Sequence, residues 1–305
     1  FYKNVFAVVV LSSLAACTRS GKTAQSTQKS LAEAAAVWPN AALVTCFDDA
    51  AAAVFSPEEK KLIQDAATEQ YTPTRTGVSF ISWEACALGK PHQVKLLKAT
   101  PPDPAACATD PKKCRAPSSF GLTSVYDKVT NDFLSYGLGH AKKIKVLDSS
   151  GVAVPGKFRY EAIDPAKEYA ASDVLLEFDQ YCSSARMKIS RAECIRGLSI
   201  HELGHVAGLQ HEHYRDESKA DQICIDTHNK RTQADLGKNP SETASRIGDY
   251  DPKSIMNYCY MDAYENGAIK IDKIQLSDGD LATLRTLYGV TPAAALNSSG
   301  NDSAR

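Results

Sequence analysis

The stretch HELGHVAGLQHEH, His201 to His213, decides how this chain is read. If residues 201–208 are helical, His201 and His205 stand four apart and face the same way. Each can then offer a neutral ring nitrogen to one metal ion at roughly 2.0–2.1 Å, the distance zinc requires. Glu202 is rotated off that pair and is placed to reach a water on the metal. Gly208 permits the left-handed turn that stops the helix, because a residue with a Cβ resists positive φ. The returning chain then brings His211 round to complete a three-histidine set. Three protein ligands leave one coordination position open, which suits one catalytic Zn2+ ion rather than a structural one. The H-E-x-x-H core alone turns up by accident. With Gly208 and His211 added, ordinary residue usage yields the pattern in on the order of one chain in 10⁵. Four of the seven histidines fall inside this stretch, so solvated histidines at a helix end account for it poorly.

A second element lies downstream in YDPKSIMNYCY, Tyr250 to Tyr260. Ser254-Ile255-Met256-Asn257-Tyr258 has the form of the methionine turn that underlies the zinc of the metzincins. On these residues the chain resembles an astacin-type zinc metallopeptidase. Glu212 follows the third histidine at once, Arg215 follows shortly, and Tyr258 stands two residues after Met256. LSDGDLATLRTLYG, Leu276 to Gly289, is similar to the family's closing helix. The resemblance covers about 201–289 well and the upstream half only loosely. Asn257 departs from it, since astacins usually carry histidine there.

The resemblance implies an α+β, metzincin-type zincin fold. That fold has a mixed five-stranded sheet with two long helices above it and a smaller, mostly irregular and helical C-terminal subdomain, with zinc in the cleft between. It implies that Glu202 is the general base toward zinc-activated water and that Tyr258 donates to the carbonyl oxygen as charge builds there. Met256 supplies an apolar floor beneath the ligands. In the family's mature enzymes the residue matching Glu212 meets a freed N-terminus. Here that requires a second cut within roughly 30–37, or another partner for Glu212. His213 is expected at the surface, and Arg215 beside a carboxylate.

A length of 305 residues with 43% hydrophobic content allows one large domain or two small ones. A net charge of −1 and a pI of about 6.7 leave no electrostatic footprint for nucleic acid. Lys3, the apolar run Val5 to Leu14, and Leu14-Ala15-Ala16-Cys17 read as a lipoprotein signal peptide over 1–17, with a lipobox that places lipid on Cys17. An ordinary secretory signal is the alternative. Thr18 after the cysteine favours an outer-membrane anchor. The expected protein is therefore exported, as a monomer, and either held on a bacterial membrane through Cys17 or secreted.

Spending Cys17 on lipid leaves eight of the nine cysteines, an even number suited to disulfides in an oxidising compartment. Their spacing is not that of a zinc knuckle. Eight cysteines allow 105 pairings, and sequence leaves them open. Cys107–Cys114 as a local clip, Cys46–Cys86 between neighbouring strands, and Cys182–Cys194 with Cys224–Cys259 beside the site are the pairs favoured.

Residues 18–36 read as a polar tether or short propeptide, 37–290 as the catalytic domain (upper part 37–211, lower part 212–290), and 291–305 as a disordered tail. Ala42 to Phe47, Gly77 to Trp83 and Gln93 to Leu97 are expected strands. Ser56-Pro57-Glu58-Glu59 starts a helix with its cap, its proline and its acids in place. Val125, Val129 and Phe133 at helical spacing suggest a helix over 119–136, and Ile144 to Leu147 an extra strand. The segment 100–172 either shapes the substrate site or is decoration. Asp173 to Phe178 is the last strand before the zinc helix, either the edge strand that in the family pairs with extended substrate or an ordinary buried strand. Arg191 to Gln210 is the expected zinc helix, and Ser277 caps the final one. The leading functional reading is a zinc endopeptidase acting on extracytoplasmic proteins or peptides. The alternatives are a non-catalytic zinc-containing surface lipoprotein that binds a partner, and a zinc amidase acting on cell-wall peptides.

Overall fold

The computed structural model describes residues 31–49, 53–87, 92–99, 120–179, 181–185, 187–226, 230–238, 241 and 244–290. The signal segment with Cys17, residues 18–30, the proposed Cys107–Cys114 clip and the tail 291–305 lie outside the described residues.

The described chain opens with a two-residue strand, β1 (Leu31–Ala32), six residues earlier than the domain start expected at 37. Ala32 and Ala36 are buried and Glu33 is almost wholly so, so the end of the expected tether belongs to the fold. Next come β2 (Ala42–Phe47), α1 (Pro57–Gln70), β3 (Ser79–Ala85) and β4 (Val94–Lys98), the expected strand–helix–strand–strand order. An antiparallel run follows: β5 (Phe120–Asp127), β6 (Phe133–Leu138), β7 (Ala141–Leu147), β8 (Ala153–Ala162) and β9 (Glu168–Leu176). The remainder is mostly helical: α2 (Arg191–Val206), α3 (Gln222–Asp226), α4 (Lys230–Asp235), the short strand β10 (Ser245–Arg246), α5 (Tyr258–Glu265) and α6 (Asp278–Leu287).

The main sheet runs β3-β2-β4-β9-β5-β6-β7-β8. It has eight strands where five were expected. The first four are mutually parallel and β5 to β8 are antiparallel to their neighbours. The mixed sheet of the α+β reading is the β3-to-β5 portion, and β6, β7 and β8 extend it beyond β5. The helix expected over 119–136 is instead the β5–β6 hairpin. Val125 is buried while Ser124 and Tyr126 face the opposite side, which is a period of two. The turn is set by Asp127, whose Oδ1 accepts the N–H groups of Val129 and Thr130 at 2.8 and 2.9 Å. Asn131 supplies a positive φ of 60°. The i, i+4 spacing of Val125, Val129 and Phe133 is thus coincidental; Val129 and Phe133 lie exposed. The strand containing Asp173 to Leu176 is not an edge. β9 is paired by β4 on one side and β5 on the other.

Helices α1 and α2 pack on one another; α1 touches β3, and α2 lies against β5 and β9. Both open with a reciprocal serine–glutamate capping box, Ser56 with Glu59 and Ser190 with Glu193. From Cys194 to Val206, α2 is buried on nearly every side, as befits a helix sandwiched between sheet and lower subdomain. Among the described residues three disulfides tie the frame. Cys46–Cys86 joins β2 to the residue after β3, Cys182–Cys194 fastens the incoming loop to the first turn of α2, and Cys224–Cys259 links α3 to α5. Among the described residues no helix is long and apolar enough to cross a membrane.

Candidate metal centre

The zinc helix ends at Val206, not at Gln210 as predicted. Gly208 takes φ +95°, and the chain leaves the helix there. That early exit turns the chain back and brings His211 to His201 and His205. The Nε2 of His211 lies 3.3 Å from that of His201 and 3.0 Å from that of His205. Ligand atoms of all three residues fall within 4.8 Å of one another. Each helix-borne ring is oriented from behind: His201 Nδ1 donates to the Ile255 carbonyl at 2.8 Å and His205 Nδ1 to that of Leu209 at 2.9 Å. Those bonds set the tautomer and leave Nε2 as the lone-pair donor. Burial lowers His201 to about 4 and His205 to about 3. Both rings are therefore neutral at physiological pH, the form that ligates a metal.

Glu202 is 3% exposed, one position along from His201. Burial pushes its carboxyl up to about 8, partly offset by a hydrogen bond from the Gly121 N–H of β5. Among the described residues its Oε2 has no hydrogen-bonding partner. A buried carboxylate oxygen left unpaired is costly unless something else meets it. Three imidazoles beside it, His201 and His205 held neutral by burial and the Nε2 atoms of all three converging, suit a cation at that place. The donor set fits one zinc ion: three imidazole nitrogens, with a carboxylate beside them.

Met256 is fully buried. A Cβ added at Gly204 would stand 2.7 Å from its sulfur, so glycine between the two histidines lets the methionine turn close up under the helix. The turn is pinned from below by Asp280 of α6. Ser254 Oγ donates to Asp280 Oδ1 at 2.7 Å and the Ile255 N–H to Oδ2 at 3.0 Å. Asn257 caps α5, its Oδ1 accepting the Cys259 N–H at 3.0 Å, and its amide donates to Tyr250 Oη at 2.8 Å. Tyr258 follows as the first residue of α5. Its ring centroid lies 4.3 Å from that of His211 and stacks on His201 at 5.2 Å.

Glu212 is fully buried. Its carboxylate accepts the Asp251 N–H at 3.0 Å and pairs with Arg215 at 3.6 Å, while its own N–H donates to the Met256 carbonyl at 3.1 Å. It thus joins the third histidine to the methionine turn. His213, expected at the surface, is instead 1% exposed. It is sandwiched between His211 and Tyr258, at 5.1 and 4.7 Å, and burial holds it down at about 3. Sequence reading missed it because an exposed and a buried histidine look alike two residues past a ligand. Gly121 was missed because nothing marked its strand as the one over the site.

The segment 31–36 lies on the turn that separates the second and third histidines. Ala32 bridges Leu209, and the Glu33 N–H donates to the Gly208 carbonyl at 3.1 Å. The Glu33 carboxylate accepts from Gln210 Nε2 at 2.6 Å and Ser241 Oγ at 2.5 Å.

Residues 182–288 match the Astacin peptidase family, so the stretch that carries this site is astacin-like. Over 112 residues the chain is 31% identical to zinc metalloproteinase nas-39 of Caenorhabditis elegans, covering 30% of this chain and 12% of that protein. It is 32% identical over 126 residues to nematocyst expressed protein 6 of Nematostella vectensis, covering 35% of this chain and 44% of that protein. It is 30% identical over 125 residues to astacin-like metalloprotease toxin 2 of Loxosceles intermedia, covering 35% of this chain and 48% of that protein. The chain thus spans less than half the length of these relatives. A solved structure of myroilysin aligns over 85% of this chain and 98% of its own, with a TM-score of 0.41 and 14% identity.

Proposed function

We propose that this chain is an exported zinc endopeptidase that hydrolyses peptide bonds of extracytoplasmic proteins or peptides. His201, His205 and His211 hold the ion and Glu202 is the general base. The observation that carries this reading is the buried Oε2 of Glu202, unpaired among the described residues, beside three converging imidazoles, two of them held neutral and oriented from behind. Zinc held there supplies a Lewis acid for the substrate carbonyl and lowers the pKa of water toward about 7. The positive charge also favours the ionised form of Glu202, which burial alone would keep protonated at neutral pH. Glu202 then takes a proton from the attacking water and returns it to the leaving amine. The Gly121 N–H steadies the carboxylate during both transfers. Tyr258 donates its hydroxyl proton in a hydrogen bond to the carbonyl oxygen as negative charge builds there. Met256 and Glu212 keep the third histidine and the turn in fixed relation.

Three disulfides support an oxidising compartment, and the sequence Leu14-Ala15-Ala16-Cys17 supports a lipid anchor on Cys17. The test uses casein, a peptide library and peptidoglycan fragments, with and without a zinc chelator, on wild type and Glu202→Ala. Wild type should cleave protein or peptide, chelator should stop it, and the variant should keep zinc while losing about 10²–10⁴-fold in rate. Zinc-loaded wild type that leaves every substrate intact would overturn the reading in favour of a partner-binding protein. Cleavage of peptidoglycan fragments alone would replace it with an amidase.

A further inference from the structure

A peptide bound in extended form needs an unpaired strand edge, whose N–H and C=O groups hold it. β5 is the strand over the site: Gly121 donates to Glu202, and a Cβ on Gly121 would stand 2.4 Å from the Glu202 carbonyl oxygen. One edge of β5 is paired with β9 along its whole length, from Phe120↔Leu175 to Asp127↔Glu168. The other edge is paired with β6 from Thr123↔Gly137 to Tyr126↔Phe133. Among the described residues no strand pairs the outer edge of residues 120–122, a length of about 10 Å, although the Gly121 N–H is already given to Glu202.

The β6–β7 turn is fastened in place rather than loosely appended. Thr123 Oγ1 donates to the Gly139 carbonyl at 2.7 Å, and the His140 N–H donates to that of Ala36 at 2.7 Å. Gly139 sits so close to Ala36 and Val206 that a Cβ there would lie 2.4 and 3.1 Å from their carbonyl oxygens. β8 is tied to the strap over the ligand turn through a bridge between Phe158 and Ser241, whose hydroxyl donates to Glu33. Antiparallel pairing is the more stable geometry. A peptide antiparallel to β5 runs its N-terminal residues toward Thr123, where β6 already lies, and its C-terminal residues toward Phe120.

Granting the peptidase reading above, we propose that the β6–β8 extension is a specificity device that cuts short the N-terminal side of the substrate track. The site holds about two extended residues before the scissile bond. Its preferred substrates are short peptides, or bonds near the N-terminus of a flexible chain; a longer chain must bend away from the sheet.

The test is a series of fluorogenic peptides sharing one cleavable bond, lengthened residue by residue on either side, each followed as kcat/KM. In wild type, growth on the N-terminal side should stop mattering after the second residue, with changes under twofold. A second protein replaces residues 128–167 by Asn-Gly, a two-residue hairpin turn between the cross-strand partners Asp127 and Glu168. It should gain tenfold or more from the third and fourth residues. A tenfold gain from those residues in wild type overturns the proposal, as does a folded replacement variant that keeps the plateau. If the variant does not fold, the wild-type series decides alone. Absence of cleavage of every peptide overturns the peptidase reading and this proposal together; cleavage without a plateau overturns only the latter.

Discussion

At the scale of single residues, the site is governed by what burial does to charge. Burial keeps His201 and His205 neutral and ready to ligate, and it leaves Glu202 in need of a cation to ionise. Tyr258 is placed by the turn before it, since Asn257 caps α5 and so fixes where its first residue points. Tyr258→Phe should therefore keep zinc binding intact and lower kcat by about 10²–10³, the usual loss of one donor to a developing oxyanion. Unchanged kcat in that variant would reduce Tyr258 to a packed ring. The proposed ligands and Glu202 were legible in the sequence because their spacing is local, His201 and His205 needing only a helix, whereas the role proposed for Tyr258 came from the resemblance to the astacins. His213, Gly121 and Glu33 were not, because their relation to the site depends on segments distant in the chain.

At the scale of elements, two devices hold the site. One is the buried Asp280 at the start of α6, which caps its own helix with Ser277 and also receives the Ser254 and Ile255 donors. The other is the strap 31–36, pinned across Gly208 to Gln210. Removing the partner of a ligand-bearing loop costs metal affinity, so Glu33→Ala should weaken zinc binding by about 10–100-fold in a competition titration. Glu33→Gln, which keeps an acceptor for Gln210 and Ser241, should recover part of it; full zinc affinity in Glu33→Ala would mean that the strap does not position the ligands. Glu59 plays a comparable part between α1, β4 and α2. Burial raises its pKa, but Arg191, the Ser56 N–H and Lys98 outweigh that and hold it below the usual 4.5. A depressed carboxylate stabilises the fold fully above 4.5 and loses that stabilisation as pH falls through its folded-state value. Glu59→Gln should thus cost about 1–3 kcal/mol at pH 7, shrinking as denaturation is followed to pH values below 4.5 and toward zero once the folded-state carboxyl is protonated. A pH-independent difference would contradict this account.

At the scale of the whole molecule, the metal site joins the sheet-bearing part to the lower one: two proposed ligands ride on α2, and the methionine turn and α6 support them from beneath. Zinc binds only the assembled form. At a free concentration 100 times its dissociation constant it should stabilise the fold by about 2.7 kcal/mol, and chelation should lower Tm by about 5–10 °C in a domain of this size. Equal melting with and without chelator would argue against a preformed site. The α+β order, the helix start at Ser56 and the proposed ligand set are readable from the chain alone, because caps, turns and helical spacing act over a few residues. What the sequence left open was long-range pairing. It did not show that β9 lies inside the sheet, that 128–167 adds three strands, or that 31–36 straps the ligand turn. A strand's face is written in its period of two, but its neighbour is chosen by which edges remain free once the whole chain has folded. By itself, then, the sequence determined the chemistry proposed at His201, Glu202, His205 and His211, and only the tertiary structure decided what surrounds it.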